Sequence, residues 1–120
     1  MRQTSTITSN HVEKSLSQQI KSIFHKQLGH RIDEIHCNFL DNKLVIVIQE
    51  ALTKPELLLI KNGHETIAKE VRSSIEEILR PQLKNLIEEV TEIEITQILF
   101  ASHLDANCVS LIALFVDGDS

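Results

Sequence analysis

Two short stretches of this chain are apolar at every position: Leu44-Val45-Ile46-Val47-Ile48 and Leu111-Ile112-Ala113-Leu114-Phe115-Val116. Each is far shorter than the ~20 residues a membrane-spanning helix needs. Their length and β-branched content read as strands buried on both sides, because a strand with one wet face alternates apolar and polar residues. A sheet built around two such strands needs cover on both faces. Helices of the same chain cover one face, and the other would be left as a large apolar patch of a kind soluble monomers rarely expose. A second copy of the chain is the simplest cover, and two-fold dimers are the commonest arrangement. A homodimer is therefore expected.

The remaining elements fall around these strands. Asn10 and Glu13 read as a capping box, and Val12, Leu16, Ile20, Ile23, Phe24 and Leu28 follow at helical spacing up to Gly29. This predicts a first helix over 10–28, preceded by a frayed tail over 1–9. Ile35, Cys37 and Phe39 alternate with polar residues as a half-buried strand. Asp41-Asn42 then supplies a hairpin turn into the first apolar stretch, since both residue types tolerate positive φ.

Leu52-Thr53-Lys54-Pro55-Glu56-Leu57 is the sharpest local signal. Thr53 is an N-cap with Glu56 closing its box, Pro55 sits in the first turn, and Leu52 and Leu57 occupy staple positions. A long helix follows, with its apolar phase running from Leu57 through Ile78 to Val90. Asn62-Gly63 is a point of local weakness and Pro81 a point of bending, so a kinked helix is expected without a full stop. From Ile93 the period returns to two, with Ile95, Gln97 and Leu99 assigned to one face and Thr96, Ile98 and Phe100 to the other. A loop over 102–107 leads to the last strand. The order is α-β-β-α-β-β. It predicts an α+β two-layer sandwich: an antiparallel four-stranded sheet with a long kinked central helix. The expected domain spans 10–117, with a tail over 118–120.

Composition narrows function mainly by exclusion. Twelve basic against seventeen acidic residues give a net charge of −5, and the four aromatic residues are all Phe. Neither the basic footprint nor the stacking residues of a nucleic-acid-binding module are present, so no nucleic acid partner is expected. The beginning of the chain has no apolar signal-peptide core. The protein is expected to be soluble and cytoplasmic, without direct membrane insertion.

Candidate chemistry is sparse. Six histidines are scattered without metal-ligand spacing, so no metal and no cofactor is expected. Cys37 and Cys108 read as reduced strand residues, bridged only if their strands are neighbours. No nucleophile motif and no phosphate-cradling glycine loop occurs among the three glycines, so no catalytic residue and no enzyme is expected. His64 falls on the apolar phase of the long helix, where a packed ring with its N–H satisfied is expected over a pH-sensitive interface group. Lys61, Glu65, Lys69, Arg72, Glu76, Arg80 and Lys84 step along that helix as a mixed-sign solvated face. The sharper alternative uses Arg72 and Arg80 as guanidinium grips for a small anion or metabolite. The ligand candidates are thus Arg72, Arg80 and His64.

The α-β-β-α-β-β order, the Asp41 turn, Leu52-Thr53-Lys54-Pro55-Glu56, Val71-Arg72, Arg80-Pro81, Ile87-Glu88-Glu89-Val90-Thr91 and the closing Phe115 resemble the MpsC family. That family is named for a component of a sodium-translocating, membrane-potential-generating system. The likeness covers about residues 10–117. It implies a soluble accessory or regulatory protein with a partner in a membrane ion or inorganic-carbon uptake complex. Two positions depart from the family pattern. Gly29-His30-Arg31-Ile32 keeps only the first Gly of a Gly-Arg-Gly-Pro-like turn, and Glu92 stands where a Gly commonly follows the Thr ending the long helix.

Overall fold

In a computed structural model, residues 5–116 are described, the side chains from residue 11 onward. The expected tail over 118–120 and the first four residues of the expected N-terminal tail lie outside them. The described residues form three helices and four strands: α1 (Ser5–Leu28), β1 (Ile35–Leu40), β2 (Lys43–Gln49), α2 (Lys54–Lys61), α3 (Glu65–Thr91), β3 (Ile95–His103) and β4 (Cys108–Phe115). The strands form one antiparallel sheet in the order β1-β2-β4-β3. α1 lies against β1, α3 against β3, and the two helices pack on each other. The fold is the expected α+β arrangement, with three corrections.

First, α1 begins at Ser5, so Asn10 is inside the helix and not its cap. At the other end Gly29 takes the left-handed backbone (φ 64°) and its N–H closes on His25 O at 2.9 Å, as expected of a C-terminal stop.

Second, the long helix is two helices. Gly63 adopts φ 83°, its N–H bonds to Ile60 O, and the His64 N–H reaches Leu59 O at 2.8 Å. These are the paired bonds of a Schellman stop, which consume the carbonyls that a continuing helix would use. Asn62 Nδ2 donates to Leu58 O at 2.8 Å and completes the cap. Only a residue without Cβ enters this backbone region freely, so the weak point seen in the sequence is a full break. Pro81, in contrast, lies inside α3 without ending it.

Third, β3 carries a bulge. Ile95 pairs with Phe115 and Gln97 with Leu114, so Thr96 is the extra residue. One inserted residue reverses the alternation beyond it. Ile95 and Ile98 are therefore both buried while Leu99 faces out, contrary to the expected grouping of Ile95 with Leu99.

The register assigns the two sheet faces. Cys37, Leu44, Ile46, Ile48, Val109, Leu111, Ala113 and Ile98 point under the helices and join Leu16, Ile20, Phe24, Leu79, Leu83 and Ile87 in one core. The opposite face carries Val45, Val47, Ile112 and Leu114, half-buried by their sheet neighbours alone, with the exposed Leu40 and Leu99 beside them. No described helix lies over it. Four strands about 4.8 Å apart and about seven residues at about 3.4 Å outline a plate of roughly 450 Å². Its apolar centre is bordered on the same face by His36, Asn38, Lys43, Gln49 and Ser110, so the apolar patch is smaller than the plate.

Candidate functional site

A buried polar cluster sits where α2 meets α3. Thr53 precedes α2 in extended conformation, and its backbone N–H and hydroxyl both donate to Glu56 Oε1, at 2.9 and 2.8 Å. Glu56 does not stop at this local role. Arg72, on the second turn of α3, donates Nε–H to Glu56 Oε2 and Nη2–H to Oε1, both at 2.7 Å. Arg72 Nη2 also reaches the carbonyl of Ala51 at 3.2 Å. Both side chains are buried, Glu56 completely and Arg72 to 3% exposure. Burial alone pushes the Glu56 carboxyl up, but the bonds and charge of Arg72 and the donors of Thr53 outweigh it and hold it below the ordinary carboxylate range.

Asn107 extends the cluster to the β3–β4 turn. It holds a left-handed backbone (φ 51°), accepts the Leu52 N–H on Oδ1 at 2.9 Å, and accepts the Ala51 N–H on its backbone carbonyl at 3.3 Å. The segment entering α2 is thereby fastened both to α3 and to the far hairpin.

Beside this cluster lies a shallow cleft of about 210 Å³ lined by Lys69, Arg72, Ser73, Glu76, Ser102 and Leu104. Ser102 Oγ donates to Glu76 Oε2 across it. Of the three ligand candidates, only Arg72 reaches this cleft. Arg80 donates Nε–H to Ile98 O at 3.3 Å and lies over the Phe100 ring, 5.2 Å from its centroid, so it is spent on the α3–β3 contact. His64 is exposed at the start of α3, and the expectation of a packed ring is overturned because the Schellman stop takes it off the apolar phase. The structure does not bring the three together. The mixed-sign stripe is also not wholly solvated, since Arg72 is buried and Glu76 and Arg80 are half-buried.

Cys37 and Cys108 are both free. β2 separates their strands, so the condition for a bridge is not met. Burial pushes the Cys37 thiol up, the Glu13 charge adds to this, and the Ser17 hydroxyl 3.9 Å away acts in the opposite sense. Among the described residues no group of three or more His, Cys, Asp and Glu side chains is placed to hold a metal ion. No helix among them is long and apolar enough to cross a membrane.

A family model described as "Na+-translocating membrane potential-generating system (MpsC)" matches residues 8–117. The chain belongs to the MpsC family. No curated protein and no solved structure matches it. In this MpsC chain three of the residues that carry the resemblance meet in the polar cluster: Thr53 and Glu56 from the helix start, and Arg72 from Val71-Arg72.

The sequence presents Glu56 as a cap and Arg72 as a solvated charge or an anion grip, and gives Asn107 no role beyond its loop. A signal for the pair was present. Arg72 stands seven residues before Leu79 and eleven before Leu83, which is the buried phase of α3. A cation on that phase requires an internal anion, and the carboxylate of Glu56 is the one α2 delivers.

Proposed function

We propose that this MpsC chain is a non-catalytic, cytoplasmic accessory module that works as a homodimer and serves the membrane system for which its family is named, in ion or inorganic-carbon uptake. The observation that carries the reading is the uncovered sheet face. Val45, Val47, Ile112 and Leu114 line its centre, with no described element above them. Pairing two such faces about a two-fold axis buries like against like, the isologous geometry that closes an assembly at two copies. The Glu56–Arg72 tie supports a structural part: its carboxylate and the Nε and Nη2 donors of its guanidinium are occupied within the chain.

Analytical ultracentrifugation tests the dimer. The wild-type chain is expected at twice its 13.6 kDa mass at micromolar concentration. Val45→Lys and Ile112→Lys are expected to run as single chains with unchanged circular dichroism. A wild-type chain that sediments as one copy removes the dimer. Capture from native membranes tests the membrane link separately, and recovery of no integral membrane protein removes that part.

The second reading, small-anion or metabolite sensing, is favoured by the cleft that gathers Lys69, Arg72 and Ser73. Glu76 lines the same cleft, and Glu56 already neutralises Arg72. The accessory reading is therefore preferred. A thermal-shift screen with bicarbonate, phosphate, nucleotides and carboxylates decides: a shift abolished by Lys69→Ala would restore the sensor.

A further inference from the structure

α3 carries a second uncovered surface, on the side away from the sheet. Ile67 and Ile78 are 46% and 61% exposed, and the half-buried Val71 lies between them. At about 100° per residue, Ile67, Val71, Ser74 and Ile78 fall on one line along about 17 Å of helix.

The charges of α3 are segregated about that line. Its four cations are Lys69, Arg72, Arg80 and Lys84. At about 100° per residue, all four point about 110° or more away from the strip, whereas Glu70 and Glu77, within its length, fall within about 90° of it. Both glutamates are exposed. Along the strip the outward surface of α3 is thus apolar on its axis, acidic along one edge and free of the helix's own cations.

We infer that this strip is a docking surface for a basic amphipathic segment of a protein partner, one that presents an apolar ridge flanked by Lys or Arg. Charge selects this occupant. A second copy of α3 laid antiparallel on the strip would set the edge of Glu70 and Glu77 against itself, and like charges brought together at an interface are costly. An anionic lipid surface meets the same repulsion. A cationic helix with an apolar stripe satisfies both the ridge and the rim, and Lys/Arg-rich segments of this kind border membrane spans on the cytoplasmic side. The inference rests on the accessory-module reading and names the chemistry of the partner.

The test uses the full chain and a fluorescein-labelled helical peptide of about 18 residues, built from Leu and Lys, in about 50 mM salt where screening is modest. Anisotropy is expected to report binding. Ile67→Ser/Ile78→Ser and, separately, Glu70→Lys/Glu77→Lys are expected to weaken it about tenfold or more, as loss of anchors at an interface does. Asp33→Lys/Glu34→Lys makes the same change in net charge on exposed residues before β1, and is expected to leave binding within about twofold because distant exposed charges are screened. Absence of binding to the Leu/Lys peptide overturns the inference. So does equal weakening by the two charge reversals, which would mark mere attraction to an acidic protein. Sedimentation of the chain with phosphatidylglycerol vesicles, lost in Ile67→Ser/Ile78→Ser, would assign the strip to lipid and overturn it as well. The sedimentation mass of each variant is read in parallel, so failure of the strip with the dimer intact is distinct from failure of the accessory reading.

Discussion

Arg72 and Glu56 face each other through two parallel hydrogen bonds of 2.7 Å in the interior, although sixteen residues separate them. The pair locks α2 onto α3 across the Gly63 break, and through Ala51 it holds the end of the β2–α2 link. Removing one partner leaves the other charge buried and uncompensated. Arg72→Met and Glu56→Gln are each expected to lower unfolding free energy by about 3–5 kcal/mol, whereas the double variant loses much less than the sum. Urea denaturation of the four proteins in the cycle measures this; additive losses would show that the two side chains act independently.

Acid should uncouple the same pair. Glu56 has a folded-state pKa below its unfolded value, so its contribution is present at neutral pH and is lost as pH falls through the ordinary carboxylate range and then through the depressed folded value. Wild-type melting temperature should drop between pH 7 and pH 3 more steeply than that of Glu56→Gln/Arg72→Met. Parallel pH profiles for the two proteins would assign acid sensitivity to other carboxylates.

The legible and illegible parts of this fold divide by the range of the interaction. The alternation of β1, the Thr53 helix start and the Gly29 stop are fixed by neighbours within a turn, and each stands in the structure where the sequence places it. The bulge at Thr96 was not legible, because nothing in Ile95-Thr96-Gln97 distinguishes an extra residue from an ordinary one until β4 is alongside. The break at Gly63 was half legible: the weak point was visible, but the competing bonds to Leu59 and Ile60 were not. Arg72 was misplaced because its partner comes from another helix. The sheet order, which separates Cys37 from Cys108, depends on pairings across the whole chain.

Glu92 occupies a backbone region that L-residues enter at a cost, with φ 60° and ψ 30°, as the C-cap of α3. Glycine, which lacks a Cβ, adopts this region freely. Glu92→Gly is expected to stabilise the chain by about 1 kcal/mol, the left-handed penalty less the extra entropy glycine brings to the unfolded state. Thermal denaturation reads this as a rise in melting temperature. A fall would show that the Glu92 side chain contributes more than its backbone strain removes.

The two thiols should differ in reactivity. Cys37 is buried with its pKa raised, so little thiolate is available at neutral pH; Cys108 lies half-buried at the start of β4. Because the thiolate is the reactive form, a disulfide reagent should modify Cys108 first and Cys37 only on unfolding. The Cys108→Ser variant isolates Cys37, and rapid modification of that variant in native buffer would contradict its placement under α1.

Ile46 and Val47 are adjacent on β2 and point to opposite sheet faces, Ile46 into the core at 0% exposure and Val47 onto the uncovered plate. They supply the most direct separation of folding from assembly. Ile46→Ala opens a cavity beneath α1 and α3 and should cost about 2–5 kcal/mol at any protein concentration. Val47→Ala removes area only from the plate, so its effect should depend on whether a second copy is present. Dilute chains should lose little stability, and micromolar chains should lose the extra stability that association confers. Urea unfolding at nanomolar and micromolar concentration distinguishes the two. A Val47→Ala penalty as large as that of Ile46→Ala and independent of concentration would mean that the plate is covered within one chain, and the argument for a dimer from the doubly apolar strands would then fail.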